Sequence, residues 1–135
     1  MTSDPRATEL SLSDEFRAVA DLEVVYGAAA LVRQVFVYAD SERSRLLAVV
    51  VPVPEALAEY GNSRALKVAL KRSLQDAAAG AALRSNELPI DILIETEPFT
   101  HENGLLSPVG RLVRSRLKDR YGHRLEQMYV EMGAA

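Results

Sequence analysis

Six cations fall within fourteen residues of an otherwise acidic chain: Arg111, Arg114, Arg116, Lys118, Arg120 and Arg124. Guanidinium groups bind carboxylate and phosphate through paired hydrogen bonds, so the cluster fits anion recognition. Helical spacing puts Arg116 and Arg120 on one face, with Arg111 on a loop ahead of them. A solvated helix surface has the same composition, and composition leaves the two readings open. The lead-in "PFTHENGLLSPVG" (98–110) is more than a solvated helix needs, and its Asn103-Gly104 pair supplies turn chemistry. His101 and His123 are 22 residues apart, a spacing that suggests no metal site, and both read as surface residues. The acid pairs Asp14-Glu15 and Glu95/Glu97 fall in a predicted hairpin turn and at a strand end, where carboxylates are ordinarily solvated.

Several chemistries are excluded by what is missing. No Gly-rich loop joins a strand to a helix, so no nucleotide cradle of the usual kinds is present. "GAAA" (27–30) and "AAAGAA" (77–82) read as helix-forming alanine tracts. No Gly-x-Ser-x-Gly elbow occurs. Without cysteine there is no disulfide frame, thiolate zinc site or thiol nucleophile. A net charge of −3 argues against general affinity for nucleic acid or an anionic membrane. No apolar run approaches the roughly 20 residues of a membrane span. The polar start "MTSDPRATEL" lacks the order of a secretory signal, so a cytoplasmic location is expected.

The elements that must position the cations follow from hydrophobic patterning. At 135 residues, 48% hydrophobic and 26% charged, the chain fits one domain with its own core. Residues 1–8 read as a mobile lead-in and 9–135 as the domain. "LSLSDEFRAVADLE" (10–23) predicts a β-hairpin around Asp14-Glu15, and a brief helix follows near 21–26, ended by Gly27. "LVRQVFVYA" (31–39) and "RLLAVVVPV" (45–53) read as strands joined by a turn at "DSER" (40–43). The continuous apolar run of the second suggests cover by helices on at least one face. After a short helix, "EALAEY", a longer one is predicted over 64–83, with Leu66, Leu70, Leu74, Ala77 and Ala81 as its apolar stripe. Lys67, Lys71, Arg72 and Asp76 lie off that stripe. "IDILIET" (90–96) gives a third strand. A basic helix is expected from Arg114 to Tyr121, broken at Gly122, then a last helix with Leu125, Met128, Tyr129 and Met132 on one side. The fold class is α+β: about three strands plus an N-terminal hairpin, with helices packed on the sheet.

Residues 87–122, "ELPIDILIETEPFTHENGLLSPVGRLVRSRLKDRYG", resemble the end of the acyl-adenylate-forming superfamily, which includes acyl-CoA synthetases, peptide-synthetase adenylation domains and luciferases. The likeness is greatest to the adenylation domains of carboxylic acid reductases and to long-chain fatty-acyl ligases. "EFRAVADLE" (15–23), "LVRQVFVYADSERSRLLAVVVP" (31–52) and the 64–83 helix look like the same subdomain in the same order, so the likeness covers nearly all of 9–132. The resemblance implies a small C-terminal lid that is hinged, in the family, to a core binding ATP and the carboxylic acid. There the lid closes with a loop lysine on the acyl carboxylate and phosphate. It then swings so that the hairpin near the hinge meets a phosphopantetheine thiol. In this sequence Arg111 stands at the lysine position, and "LSLSDEF" lacks the hairpin glycine, with Asp14 near its place.

On that resemblance the core is missing, and the chain is expected to be a stand-alone lid working with a separate adenylation core, or an excised piece of a larger enzyme. Arg111 is then the candidate catalytic residue. Asp14, Glu15, Arg114, Arg116 and Lys118 are candidate partner or anion contacts. ATP and Mg²⁺ are expected on the partner core and no cofactor on this chain alone. A carrier protein or coenzyme A is the implied acceptor. The alternative is a non-catalytic interaction or stabilising module that has lost the lysine.

Overall fold

The computed structural model of the protein describes residues 19–39 and 45–132. The predicted lead-in, the Asp14-Glu15 turn and the "DSER" turn lie outside the described residues; the end of the predicted hairpin, residues 19–23, is helical rather than extended.

Residues 19–27 form helix α1. Strands β1 (Val32–Ala39) and β2 (Leu46–Pro52) pair antiparallel. Helices α2 (Pro54–Tyr60) and α3 (Arg64–Gly80) then cross over to β3 (Asp91–Ile94), which lies parallel to β2. A long loop leads to α4 (Arg114–Glu131). The strand order β1-β2-β3 puts the most apolar strand in the centre. That position explains its composition: Leu47, Val49 and Val51 face one layer, while Ala48 and Val50 face the other. The first face packs on α4 through Leu117, Tyr121, Leu125 and Tyr129; the second packs on α1 and α3 through Leu22, Tyr26, Leu66, Leu70 and Leu74. The sheet is therefore covered on both faces.

Local chemistry sets the boundaries. Pro54 opens α2, where its missing N–H costs nothing. The Ser63 side chain accepts from Leu66 N at 3.3 Å and caps α3. That helix ends at Gly80, earlier than its alanine composition suggests: Ala82 turns left-handed at φ 56° and Leu83 N donates back to Ala78 O at 2.9 Å. Ala81 is consequently exposed, and Ser73 and Ala78 complete the buried stripe instead.

The last helix also departs from its prediction. The basic helix does not break at Gly122 but runs unbroken from Arg114 to Glu131. Leu117, Tyr121, Leu125 and Tyr129, each four residues from the next, bury one continuous stripe across the glycine. Burying several large side chains at roughly 1.5–3 kcal/mol apiece outweighs the roughly 1 kcal/mol helix penalty of one glycine. No helix among the described residues is long and apolar enough to cross a membrane.

Candidate functional site

Between β3 and α4 the chain builds a rigid loop that ends in a small hairpin. Phe99, 1% exposed, is its buried anchor and meets Tyr121 with ring centroids 6.1 Å apart. The predicted Asn103-Gly104 turn forms here. Asn103 Oδ1 accepts from Thr100 N at 3.0 Å, Thr100 Oγ1 accepts from Asn103 N at 3.0 Å, and Asn103 Nδ2 donates to Pro98 O at 3.0 Å. Gly104 suits the turn because its φ is +83°; the Arg116 guanidinium lies over it, with Nη1 2.5 Å from where a Cβ would stand.

The hairpin follows directly. Leu106 bridges Leu112, Val113 N donates to Leu105 O at 2.9 Å, and Ser107 N donates to Arg111 O at 2.8 Å. At the tip Gly110 N donates to Ser107 O at 2.9 Å, a turn with Pro108 at its second position and Gly110 at φ +83°. The Ser107 hydroxyl accepts from Arg111 N at 3.2 Å. Arg111 is thus fixed by its backbone while its side chain is exposed. No described residue pairs with its guanidinium. Val109 beside it is 80% exposed.

The other predicted cations divide. Arg116 and Lys118 are exposed on α4, with Arg116 lying over Gly104. Arg120 faces Glu97 at 3.9 Å and its Cζ lies 5.9 Å from the Tyr121 ring centroid. Arg124 is exposed, as are His101 and His123. Arg114 is turned inward: it is ion-paired to Glu23 of α1 and stacked 5.8 Å from the Phe36 centroid. Asp14 and Glu15 lie outside the described residues.

Electrostatics separate the buried acid from the exposed cations. Burial pushes the Glu23 carboxyl up from its ordinary value; the Arg114 hydrogen bond, the Val37 N–H and the Arg114 charge pull the other way without overcoming it. The Tyr121 hydroxyl donates to Glu95 Oε1 at 2.6 Å, and burial first, then Glu95, raise it well above the usual phenol. These groups hold the loop; Arg111, Arg116 and Lys118 face solvent, as does Arg124.

Sequence patterning missed Gln34. Its Nε2 donates to Phe99 O at 2.9 Å and its Oε1 accepts from Phe99 N at 2.7 Å, so one side chain pairs both backbone polar groups of Phe99. The available signal was a lone amide in a Val-rich strand, which demands a partner once the strand is buried.

No family model matches the chain. It is 53% identical over 130 residues to the carboxylic acid reductase of Segniliparus rugosus, covering 96% of this chain and 11% of that protein. To the peroxisomal long chain acyl-CoA synthetase 6 of Arabidopsis thaliana it is 31% identical over 135 residues, 90% of this chain and 19% of the synthetase. Among solved structures, the A-PCP didomain of the S. rugosus carboxylic acid reductase, in complex with AMP, superimposes with a TM-score of 0.82 at 53% identity. That match covers 85% of this chain and 16% of the didomain. The chain thus spans about a tenth to a fifth of the length of these relatives.

Proposed function

This chain belongs to the acyl-adenylate-forming superfamily, as a form of its C-terminal subdomain, and we propose that it is a lid acting in trans. In this reading it seats over a separate core that binds ATP, Mg²⁺ and a carboxylic acid. It there completes carboxylate adenylation, thioester formation or both, with a carrier protein or coenzyme A as acceptor. The observation that carries the reading is Arg111: a guanidinium without a partner among the described residues, at the tip of a backbone-fixed hairpin, beside exposed Val109. A preset cation of this kind can stabilise negative charge that develops as an acyl carboxylate attacks phosphate. Arg116 and Lys118, exposed on α4, are assigned as anion or partner contacts. Arg114, tied to Glu23, contributes by holding the helix start. Asp14 and Glu15 are assigned a partner-contact role from sequence alone.

Two features support a lid that folds before it docks. The described residues bury two hydrophobic clusters of their own, one on each face of the sheet. The hairpin's two legs are joined by bonds of their own, Ser107 N to Arg111 O and Val113 N to Leu105 O, with Arg111 N donating to the Ser107 hydroxyl.

The test uses the S. rugosus adenylation core shortened to lack the segment this chain matches. Adding the chain should restore ATP–pyrophosphate exchange that neither component has alone. A core fully active by itself, or a mixture that stays inactive, refutes the reading. Arg111→Ala should lower the restored rate by about 10²–10³-fold. One observation favours a second reading: an arginine stands where the resemblance places lysine, and its planar fork does not reproduce the point charge of an ammonium. If Arg111→Ala binds the core and leaves the rate unchanged, the chain is a non-catalytic stabilising module.

A further inference from the structure

Both legs of the Arg111 hairpin are mounted on one strand, β1, by side chains far from it in sequence. The leading leg is held at Phe99, whose N–H and C=O are both paired by the Gln34 amide. From Phe99 the constraint passes through the Thr100–Asn103 ring to Leu105, where Asn103 Oδ1 also accepts from Leu105 N at 3.2 Å. The trailing leg ends at Arg114, whose guanidinium is bound by Glu23. The second Glu23 oxygen accepts from Val37 N at 2.8 Å, three residues along β1 from Gln34. A shift of register between Val32 and Gln34 is what lets both contacts form: Val32 and Val35 share the face toward α3, while Gln34 and Phe36 turn toward α4.

We propose that Gln34 and Glu23 are positioning residues for Arg111, fixing the hairpin to β1 at two points so that its tip cannot pivot. The proposal rests on the lid reading for its functional consequence, and on the geometry alone for the mount. Two points are needed because the tip supplies no anchorage: Pro108, Val109, Gly110 and Arg111 are all exposed. With one point released, the hairpin's own hydrogen bonds open more readily and its tip swings about the other leg. Catalytic groups must be held to within about 0.5 Å, and a displacement of about 1 Å can cost on the order of 10²-fold in rate.

The test has two parts. In the isolated chain, Gln34→Met keeps side-chain length and removes both hydrogen bonds to Phe99. Amide hydrogen exchange at Leu105, Leu106 and Val113 should quicken by about tenfold or more, while Leu70 and Leu74 in α3 stay protected. Glu23→Gln, which retains an acceptor for Val37 N but loses the charge facing Arg114, should loosen Val113 and Arg116 and spare Phe99. In the reconstituted exchange assay each variant should lower kcat by about 10–100-fold with KM for ATP unchanged. Neither should lower it further in an Arg111→Ala background. Unchanged exchange in the hairpin, acceleration spread equally into α3, or losses that multiply with Arg111→Ala would overturn the proposal. Should Arg111→Ala itself cost nothing, the lid reading falls, and the exchange pattern still decides whether the mount exists.

Discussion

Replacing Gly122 by alanine should stabilise the protein, although the sequence pattern marks that residue as a helix break. Gly122 is the ninth of eighteen residues in α4. A Cβ built on it meets nothing within 4 Å, so no steric cost opposes the change. What remains is the backbone entropy that glycine loses in a helix interior, about 0.8–1 kcal/mol relative to alanine. The stripe of Leu117, Tyr121 and Leu125 already holds helical geometry on both sides, so the full difference should be realised. For a domain of this size the gain corresponds to a rise of about 4 °C in Tm. Urea unfolding at 25 °C, followed by circular dichroism, should move its midpoint upward with the slope m unchanged. A null or negative effect would mean that α4 is interrupted at 122. Arg116 would then ride on a segment separate from the one that Tyr129 pins through its 2.6 Å hydrogen bond to Arg45 O. The rigid base assumed for the hairpin would be lost with it.

Further predictions concern backbone and charge. Ala82→Gly should add about 1 kcal/mol in denaturant unfolding, because Ala82 sits at φ 56°, where a Cβ is strained. Gly104→Ala and Gly110→Ala should each cost about 1–2 kcal/mol for the same reason, both glycines being at φ +83°. Near-equal losses are expected because the Arg116 end that a methyl group on residue 104 would meet can swing into solvent; a much larger loss there would show that arginine to be pinned. Asp91 lies 2.9 Å from Lys67 and 3.3 Å from Lys71. Burial pushes its carboxyl up, but hydrogen bonds from Lys67 and Ile92 N and the two lysine charges outweigh it, so its net shift is downward. A lowered carboxylate stabilises the fold above its unfolded value of about 3.9 and loses that contribution as pH falls through the folded value. Asp91→Asn should therefore cost up to about 1 kcal/mol at pH 7, with the half-exposed lysines setting that ceiling. Its deficit against the wild type should close as unfolding is measured at successively lower pH below about 4.

The strands were legible because each apolar run is bounded by strong punctuation: Pro52 and Pro54 end β2, and Pro89 precedes β3. Burial of β2 on both faces was half legible, since an unbroken Val run says that a strand is covered but not how many layers cover it. The break at Gly122 was misread because propensity is local, whereas the burial that overrides it comes from Phe36, Leu47, Val49 and Val51, some 70–90 residues away. Distance in the chain limits the site in the same way. The cation cluster was visible as composition, and Asn103-Gly104 as a turn. The recruitment of Arg114 by Glu23, 91 residues apart, has no local mark, and it divides residues that composition treats as equals.

That division bears on why an arginine can stand at the hairpin tip. A guanidinium reaches an anion through a directional fork, so its usefulness depends on the angle of arrival more than an ammonium's does. The described structure fixes the backbone from which that fork is aimed: Gln34 acts from β1, and Glu23, on α1, acts through its contact with Val37 N of β1. On the lid reading, little ordering of the tip is left to be done on docking, and ordering is among the costs that weaken association. A lid that arrives with the backbone of its cation already placed can bind a core through modest contacts around Val109 and the exposed face of α4 and still deliver charge to one place. The same logic makes the mount a more sensitive target than the tip's own turn. Lengthening the hairpin changes reach, while releasing Gln34 changes direction.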